Sequence, residues 1–531
     1  MLLGRHLRLW LIAVQLDVVV YRRDDSLAGQ LSELLGDGVV EKCTSWVMNV
    51  VHVQVESQKL YQLSPGSLHT ESGMTASLAL GQGTPPGCVR GYYFYAISKL
   101  WVVASIIKLM PDKKPLLQFP KNFLWGAATS SHQVEGHQNN NWTEWEKIYA
   151  DDLARGSKKA FDTPAVHWYR IKEEAMSPEN YISGRGVDHY NRYEEDFDIA
   201  RSLHHNAHRF SLEWSRIEPE RGVFDEAAIE HYRQVIMALH RRGIEPLLTL
   251  WHFTLPKWVE DRGGFTNPAT IADFERYAER MAQEFGHDVK YWCTMNEPEV
   301  FASFSYWLGF WPPQQKNIGV AFAAYTSLMP RAHIKAYKAI KKHAPAAQVG
   351  ISKNMMWYAA DGRLFTPVLA KLQNWFGNYY FLDQIKNHQD YIGLNYYFKF
   401  VLRVFRWQIS EQNPSDMGWG LHPEGLQVLL KMISKRYKNM PVIITECGLA
   451  DGQDESRAWY VKELLRNVHE AMQAGVNVQG FMYWALLDNF EWDKGFWPKF
   501  GLVAVDRKTM KRTVRPSAKV YGEIMRRGGL D

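Results

Sequence analysis

The sequence of 531 residues predicts an α/β protein, a (β/α)8 barrel of the TIM type preceded by an N-terminal extension of unassigned fold. The first observation is a regular alternation of apolar, β-rich runs with amphipathic stretches after Phe119. The second is that most of these runs end in polar side chains. The third is the distribution of tryptophan, since only three of the 21 Trp precede Phe119. The chain therefore divides into two unlike segments, residues 1–117 and 118–531.

The first segment, residues 1–117, shows no motif, no repeat and no sustained period of 2 or 3.6 residues. Val47–Val55 is apolar enough for a strand, but no neighbouring run offers a partner with matching alternation. We expect this segment to come from a misassigned start, with the native chain beginning near Met110. A genuine accessory region is the alternative.

The second segment contains eight apolar runs of the length expected for buried strands. Continuous apolar strands separated by amphipathic helices are typical of a parallel sheet covered by helices, and eight such units predict a closed barrel. The predicted strands are Phe123–Thr129, Ala207–Leu212, Glu245–Leu250, Tyr291–Met295, Gln348–Ser352, Tyr391–Asn395, Val442–Thr445 and Gly480–Leu486.

Helical stretches with apolar residues three and four positions apart separate these strands. The predicted helices are Asp225–Arg241, Pro268–Phe285, Val320–Lys342, Pro423–Lys435 and Glu455–Ala474. The segment between strands five and six, residues 353–389, comprises 37 residues.

Charge and cysteine content exclude several classes of function. The net charge is +5, from 62 basic and 57 acidic residues, and no Lys/Arg run could follow a nucleic acid backbone or an anionic membrane. The four Cys include no CxxC pair, which argues against a zinc site and for reduced thiols. We expect a cytoplasmic protein without a membrane anchor. Secretion is the alternative, because Arg5 and Arg8 precede the apolar run Leu9–Val14.

Polar side chains at the strand ends suit a polyhydroxylated ligand. Barrel enzymes carry their reactive groups at the C-terminal ends of the strands, where all eight strands face one centre. The candidates, in chain order, are Gln133, Arg209, His252, Asn296, Glu297, Asn395, Tyr397, Glu446, Trp484, Glu491 and Trp492.

Two carboxylates among these candidates end strands four and seven: Glu297 in Thr-Met-Asn-Glu-Pro and Glu446 in Ile-Ile-Thr-Glu-Cys-Gly. Glycoside hydrolysis needs two facing carboxyl groups, one to protonate the departing oxygen and one to attack the anomeric carbon or activate water. A single Glu at a strand end is more often salt-bridged. The joint occurrence of both with the amide and aromatic cluster favours catalysis.

Several long motifs give the second segment a resemblance to family 1 of the glycoside hydrolases. They are the run from Phe119 to Gly136, Asn296-Glu297-Pro298, Thr445-Glu446, and the run from Trp484 to Trp492. The resemblance extends from about Phe119 to the C-terminus, with the motifs in the family's order.

The resemblance implies a retaining β-glycosidase with Glu297 as general acid/base and Glu446 as nucleophile. Arg209 and Tyr397 match the positions that hold the nucleophile charged and oriented. The positions that bind the non-reducing sugar are matched by Gln133, His252, Asn296, Trp484, Glu491 and Trp492. Neither a metal nor an organic cofactor is implied, and the partner is a small β-glycoside or oligosaccharide.

The residues also indicate which branch of the family is resembled. Branches acting on 6-phosphorylated sugars lack the acidic residue at Glu491, which would repel a phosphate. The thioglucosidase branch lacks the acid/base carboxyl, which is present here as Glu297. We therefore expect a β-glucosidase, with β-galactosidase or β-fucosidase activity possible.

Two departures from the family pattern lie beside the expected carboxylates. Cys447 stands where the family has Asn, and either an oxidation-sensitive thiol or an inert buried one fits this position. Glu299 follows Asn-Glu-Pro where Asn is frequent, and we expect a tolerated change.

Two rival functions remain at this point. A transglycosidase would share every residue of the site. A non-catalytic carbohydrate-binding barrel would keep the aromatic and amide groups but would need neither Glu297 nor Glu446, so the presence of both argues against it.

Overall fold

The computed structural model describes residues 68–69, 75–76, 116–163, 165–363, 365–403, 406–410, 413–438 and 440–531. The chain forms two compact units, Met1–Asp112 and Lys113–Asp531. In the first unit the described backbone is an antiparallel pair of two-residue strands, Leu68–His69 and Thr75–Ala76. The expected strand at Val47–Val55 lies outside the described residues.

Eight parallel strands of the second unit close into a barrel in chain order, which confirms the predicted fold. Each predicted strand is present, with ends that differ by two residues or fewer. The strands are β1 (Leu124–Ala128), β2 (Ala207–Ser211), β3 (Glu245–Trp251), β4 (Tyr291–Asn296), β5 (Gln348–Asn354), β6 (Ile392–Tyr396), β7 (Val442–Cys447) and β8 (Val478–Trp484).

Helices follow the strands and cover the outside of the barrel. The longer ones are Asn141–Phe161, Trp168–Ala175, His189–Ser202, Glu226–Arg241, Ala269–Phe285, Met329–His343, Thr366–Asn374, Glu424–Arg436, Arg457–Gln473 and Pro516–Arg527. The predicted helix Val320–Lys342 is built from Ile318–Ala323, a wider turn at Ala324–Leu328, and Met329–His343. No helix in the described part of the chain combines the length and apolar character that crossing a membrane requires.

The short connection between β5 and β6 contains a strand of its own. Trp357–Ala360 pairs in parallel with Lys399–Arg403, which pairs antiparallel with Arg406–Ile409. This three-stranded sheet follows the C-terminal ends of β5 and β6 in the chain. The two helices Thr366–Asn374 and Tyr380–Ile385 complete the connection.

Apolar residues fill both the barrel interior and the layer between strands and helices. Most strand residues are buried on both faces, as parallel strands inside a helical shell require. Within the barrel, one cluster is formed by Leu247, Tyr291, Cys293, Tyr391 and Ile443. The interior of the barrel below the polar groups of the candidate site is therefore filled by packed, mostly apolar side chains.

Candidate active site

The two candidate carboxylates lie at the C-terminal ends of β4 and β7, which are not adjacent in the barrel. Glu446 is part of β7, and Glu297 directly follows β4 in a left-handed conformation with φ of 41°. The Glu297 amide donates to the carbonyl of Ser352 on β5 over 2.8 Å, and a helix begins at Pro298. Both side chains are buried, at 6% and 4% exposure. They are thus removed from bulk water but reachable from the mouth of the barrel.

Glu446 is held by two donors, one to each carboxylate oxygen. Arg209 Nη1 on β2 donates to Oε1, and the Tyr397 hydroxyl donates to Oε2 over 2.7 Å. The Arg209 side chain is buried, so its charge is little screened by solvent. Charge-assisted hydrogen bonds of this kind stabilise the ionised form of a carboxylate.

Arg209 is itself fixed by neighbouring strands. Its Nε donates to Thr249 Oγ1 on β3 over 3.0 Å, and its Nη2 donates to Asn296 Oδ1 over 2.8 Å. The guanidinium plane therefore has partners on β3, β4 and β7. Because every partner is on a barrel strand, the orientation of Glu446 follows from the barrel itself.

Glu297 has a different environment. Asn395 Nδ2 donates to Glu297 Oε1 over 2.8 Å, and Thr445 Oγ1 fixes Asn395 by donating to its Oδ1 over 2.7 Å. The pKa of Glu297 lies well above its usual range, mainly because of burial and next because of the negative charges of Glu446 and Glu299. Burial and negative neighbours thus favour the protonated form of Glu297.

A second polar group lies across the mouth of the barrel. Gln133 Nε2 donates to the carbonyl of Phe490 over 2.7 Å and to Glu491 Oε2 over 3.4 Å. Burial, followed by the charges of Glu446 and Asp493, raises the pKa of Glu491 to about 8. Gln133 and Glu491 together present an amide and a carboxyl that can donate to and accept from sugar hydroxyls.

Aromatic rings lie between the two carboxylates and the Gln133–Glu491 group. The His252 ring stacks against Trp484 at 5.8 Å and against Trp492 at 6.0 Å between centroids. Asn296 Nδ2 lies 3.1 Å from His252 Nε2, and burial keeps the pKa of His252 well below its usual value. His252 is therefore neutral, with one ring nitrogen as donor and the other as acceptor. Flat apolar faces beside polar groups suit a sugar ring.

The structure brings together all eleven candidate residues of the site. Asn395, predicted only as a polar strand end, donates a hydrogen bond to Glu297. Two further residues, Thr249 and Thr445, support the site and were not predicted from the sequence. The two threonines gave no signal, because a Thr within an apolar strand is as typical of ordinary β-structure.

Cys447, next to Glu446, is completely buried, and burial raises the pKa of its thiol well above the usual value. A thiol of this kind resists oxidation, because the thiolate is the reactive form. The environment favours the inert alternative. In the described ranges, no three His, Cys, Asp or Glu side chains cluster as a metal ion would require.

The arrangement can protonate a departing oxygen and attack the carbon that it leaves. One carboxyl, Glu446, accepts hydrogen bonds from Arg209 and Tyr397, and the pKa of the other, Glu297, is raised by burial and negative neighbours. Two carboxyl groups in such different environments at the end of one barrel are suited to the roles of nucleophile and acid.

Comparisons with known proteins cover the barrel unit. Residues 116–391 and 368–530 match the family described as Glycosyl hydrolase family 1. A 1,4-beta-D-glucan glucohydrolase of Thermotoga neapolitana is 31% identical over 462 residues, covering 78% of this chain and 99% of that protein. A beta-galactosidase of Pyrococcus woesei is 29% identical and covers 78% and 98%.

Solved structures show the same architecture. A beta-glycosidase from Pyrococcus horikoshii is 34% identical with a TM-score of 0.69, covering 78% of this chain and 96% of that chain. A beta-glucosidase from Thermotoga maritima in complex with glucoimidazole is 28% identical with a TM-score of 0.69, covering 78% and 100%.

Proposed function

The chain belongs to glycosyl hydrolase family 1, and we propose that within this family it is a β-glucosidase with Glu297 as acid/base and Glu446 as nucleophile. Hydrolysis of β-glycosidic bonds with retention of configuration is the reaction of the family. The observation that carries the residue assignment is the contrast between the two carboxyls. Of the two carboxyls, Glu446 accepts hydrogen bonds from Arg209 and Tyr397, whereas burial and like charge raise the pKa of Glu297.

In the first step, a Glu446 oxygen forms a bond to the anomeric carbon while the glycosidic C–O bond breaks. The proton of Glu297 passes to the departing oxygen, so that the aglycone leaves as an alcohol. Asn395, which donates to Glu297 Oε1, leaves Oε2 to carry the transferred proton. Retention predicts carboxyl oxygens roughly 5 Å apart.

In the second step, water attacks the anomeric carbon and the bond to Glu446 breaks. Glu446 is uncharged while it is esterified, which removes one of the charges that raise the pKa of Glu297. Glu297 can then stay ionised long enough to accept the proton of the water. The same residue thus serves as acid and then as base.

The proposed substrates are small, unphosphorylated β-glycosides. Relatives named as a β-glucosidase, a β-glucan glucohydrolase and a β-galactosidase support glucosides with tolerance at one hydroxyl. The branches that act on 6-phosphorylated sugars lack an acidic residue at the position of Glu491, which supports an unphosphorylated substrate. We propose that the sugar lies between Gln133, Glu491 and the Trp484 face.

The test is hydrolysis of nitrophenyl β-glucoside by the wild type, Glu446→Ala and Glu297→Ala. We expect a loss of at least about 10³-fold for Glu446→Ala, because no other ionised group can form the glycosyl ester. For Glu297→Ala, added azide should restore turnover and release β-glucosyl azide.

Several outcomes would contradict the assignment. Wild-type protein that binds glucosides without turnover would favour the carbohydrate-binding barrel, and glycosyl transfer faster than hydrolysis would favour the transglycosidase. Azide rescue that gives a β-configured product with Glu446→Ala and an α-configured product with Glu297→Ala would exchange the two roles.

A further inference from the structure

A buried ion pair lies directly behind Glu297. Glu299 is in the first turn of the short helix Pro298–Phe301, and its Oε1 lies 2.9 Å from Nζ of Lys353 on β5. The Lys353 side chain is fully buried and that of Glu299 is 13% exposed. Breaking a buried pair by removing one partner leaves an uncompensated charge, so a pair at this depth constrains its surroundings.

This pair fastens the acid/base segment to β5 at a second point. The backbone amide of Glu297 already donates to Ser352, and Lys353 is the next residue on the same strand. Lys353 Nζ also donates to the carbonyl of Asn354 over 2.9 Å. The backbone of Glu297 and the side chain of Glu299 are therefore held by consecutive residues of one strand. The backbone at Glu297 needs these contacts because a non-glycine residue with φ of 41° is strained.

The pair also contributes two opposite charges near Glu297. Glu299 raises the pKa of Glu297, and the attraction between Glu297 and Lys353 acts in the opposite direction. The other charged groups facing Glu297 are Glu446 on β7 and Arg209 on β2. Glu299 and Lys353 thus act in opposite directions on the proposed catalytic carboxyl.

We propose that the Glu299–Lys353 ion pair positions the acid/base. It fastens the turn after β4 to β5 and places one negative and one positive charge near Glu297. The inference rests on the proposed role of Glu297. It predicts that removing either partner changes the proton affinity of Glu297 in a direction set by the charge that remains.

The experiment measures kcat/KM against pH for Glu299→Gln and Lys353→Met. In Glu299→Gln the remaining Lys353 ammonium favours the Glu297 carboxylate. The basic limb of the profile, where kcat/KM falls as Glu297 loses its proton, should therefore move to lower pH by about one unit. In Lys353→Met the remaining carboxylate should move it up by a similar amount. Lys353→Arg keeps the charge and should keep the limb. Shifts in the same direction, or no shift, would overturn the proposal.

Matched controls come from an exposed ion pair of the same type. Lys335 Nζ lies 3.2 Å from Glu275 Oε2 on the outer helices, and Glu275→Gln and Lys335→Met should leave the limb in place. The Glu297→Ala variant separates failure of the acid/base assignment from failure of the ion-pair inference. If the basic limb persists in Glu297→Ala, the acid/base assignment is wrong. If the limb is lost in Glu297→Ala but does not move in Glu299→Gln or Lys353→Met, only the ion-pair inference is wrong.

A double variant tests the proposal even if the single variants do not fold. Glu299→Gln/Lys353→Met leaves no unpaired charge but removes the fastening to β5. Hydrolysis of methyl β-glucoside, which needs a well-placed acid, should then fall about tenfold more than hydrolysis of dinitrophenyl β-glucoside, which does not. An unchanged ratio of the two rates would contradict a positioning role.

Discussion

At the residue scale, the candidate site contains more carboxyl groups than cations. Glu297 and Glu446 are buried, Glu491 is partly buried, and the guanidinium of Arg209 pairs with Glu446. Burial opposes charge, so a carboxyl without a paired cation is favoured in its protonated form. Burial and the negative charge of Glu446 accordingly raise the pKa of both Glu297 and Glu491.

Tyr397→Phe tests the second donor to Glu446. The variant removes one hydrogen bond to a charged group, for which about 1.5–3 kcal/mol is typical, so we expect kcat/KM to fall about ten- to a hundredfold. Tyr396→Phe is the matched control, because the Tyr396 hydroxyl donates to the carbonyl of His422 instead. Equal losses in both variants would indicate a structural effect of any tyrosine at this strand end.

At the element scale, the strands change register where they carry site residues. The shifts lie between Leu394 and Asn395 on β6, between Ile444 and Cys447 on β7, and between Cys293 and Asn296 on β4. A register shift re-aims the side chains that follow it. The barrel thereby directs Asn395, Glu446 and Asn296 toward one centre.

Gly448→Ala tests how tightly two of these strand ends are packed. A Cβ at Gly448 would lie 1.9 Å from the carbonyl oxygen of Trp484, so the ends of β7 and β8 would have to separate. We expect a destabilisation of about 1–3 kcal/mol and a loss of activity of tenfold or more, because both Glu446 and Trp484 would move. Thermal unfolding and nitrophenyl glucoside kinetics measure the two effects. Wild-type values for both would show that the ends are free to separate.

Gly156→Ala is the same substitution where space is open. Gly156 is exposed within the helix Asn141–Phe161, and no atom lies within 4 Å of an added Cβ. We expect the free energy of unfolding to rise by about 0.5–1 kcal/mol, since alanine favours helix more than glycine does. A denaturant titration that shows a loss of stability would contradict this expectation.

At the scale of the whole molecule, buried histidines oppose folding in acid. His205 is completely buried, and burial lowers its pKa to about 3, so the folded protein keeps it neutral. The unfolded chain takes up this proton near pH 6.5, and stability is therefore lost as the pH falls from 6.5 toward 3. His333 and His231, with a pKa of about 4, act in the same direction.

His205→Phe should remove one such contribution. Relative to the wild type, we expect the variant to gain about 1.4 kcal/mol of stability for each pH unit below 6.5. Melting temperatures between pH 7 and pH 4.5 provide the measurement, with His287→Phe, an exposed position, as control. Parallel pH curves for His205→Phe and the wild type would refute the expectation.

The extent of the catalytic unit is a further prediction at this scale. We expect a chain of residues 110–531 to fold and to equal the full-length chain in kcat/KM. Such a chain keeps the pairing of Leu117–Gln118 with Gly529–Leu530. An insoluble or inactive product would instead indicate that residues before 110 contribute to the enzyme.

How much of the fold and of the site could be predicted from the sequence depends on how far apart in the chain the interacting residues are. Strand identities and the residues at strand ends could be predicted, because apolar runs and the meeting of parallel strand ends are local rules. The partnership of Glu299 with Lys353 could not, because no sequence pattern relates a turn after β4 to an outward position on β5. Glu299 had seemed a tolerated change for this reason.

The sequence by itself determined the barrel, its order of strands and the residues gathered at its mouth, since chain order dictates which strands are neighbours. Only the tertiary structure decided which carboxyl is paired with a cation and which has its pKa raised. Burial and charge act through space, between groups that are far apart in the sequence. Glu446 is paired because Arg209 and Tyr397 lie beside it, and the pKa of Glu297 is raised by burial and by the charges of Glu446 and Glu299.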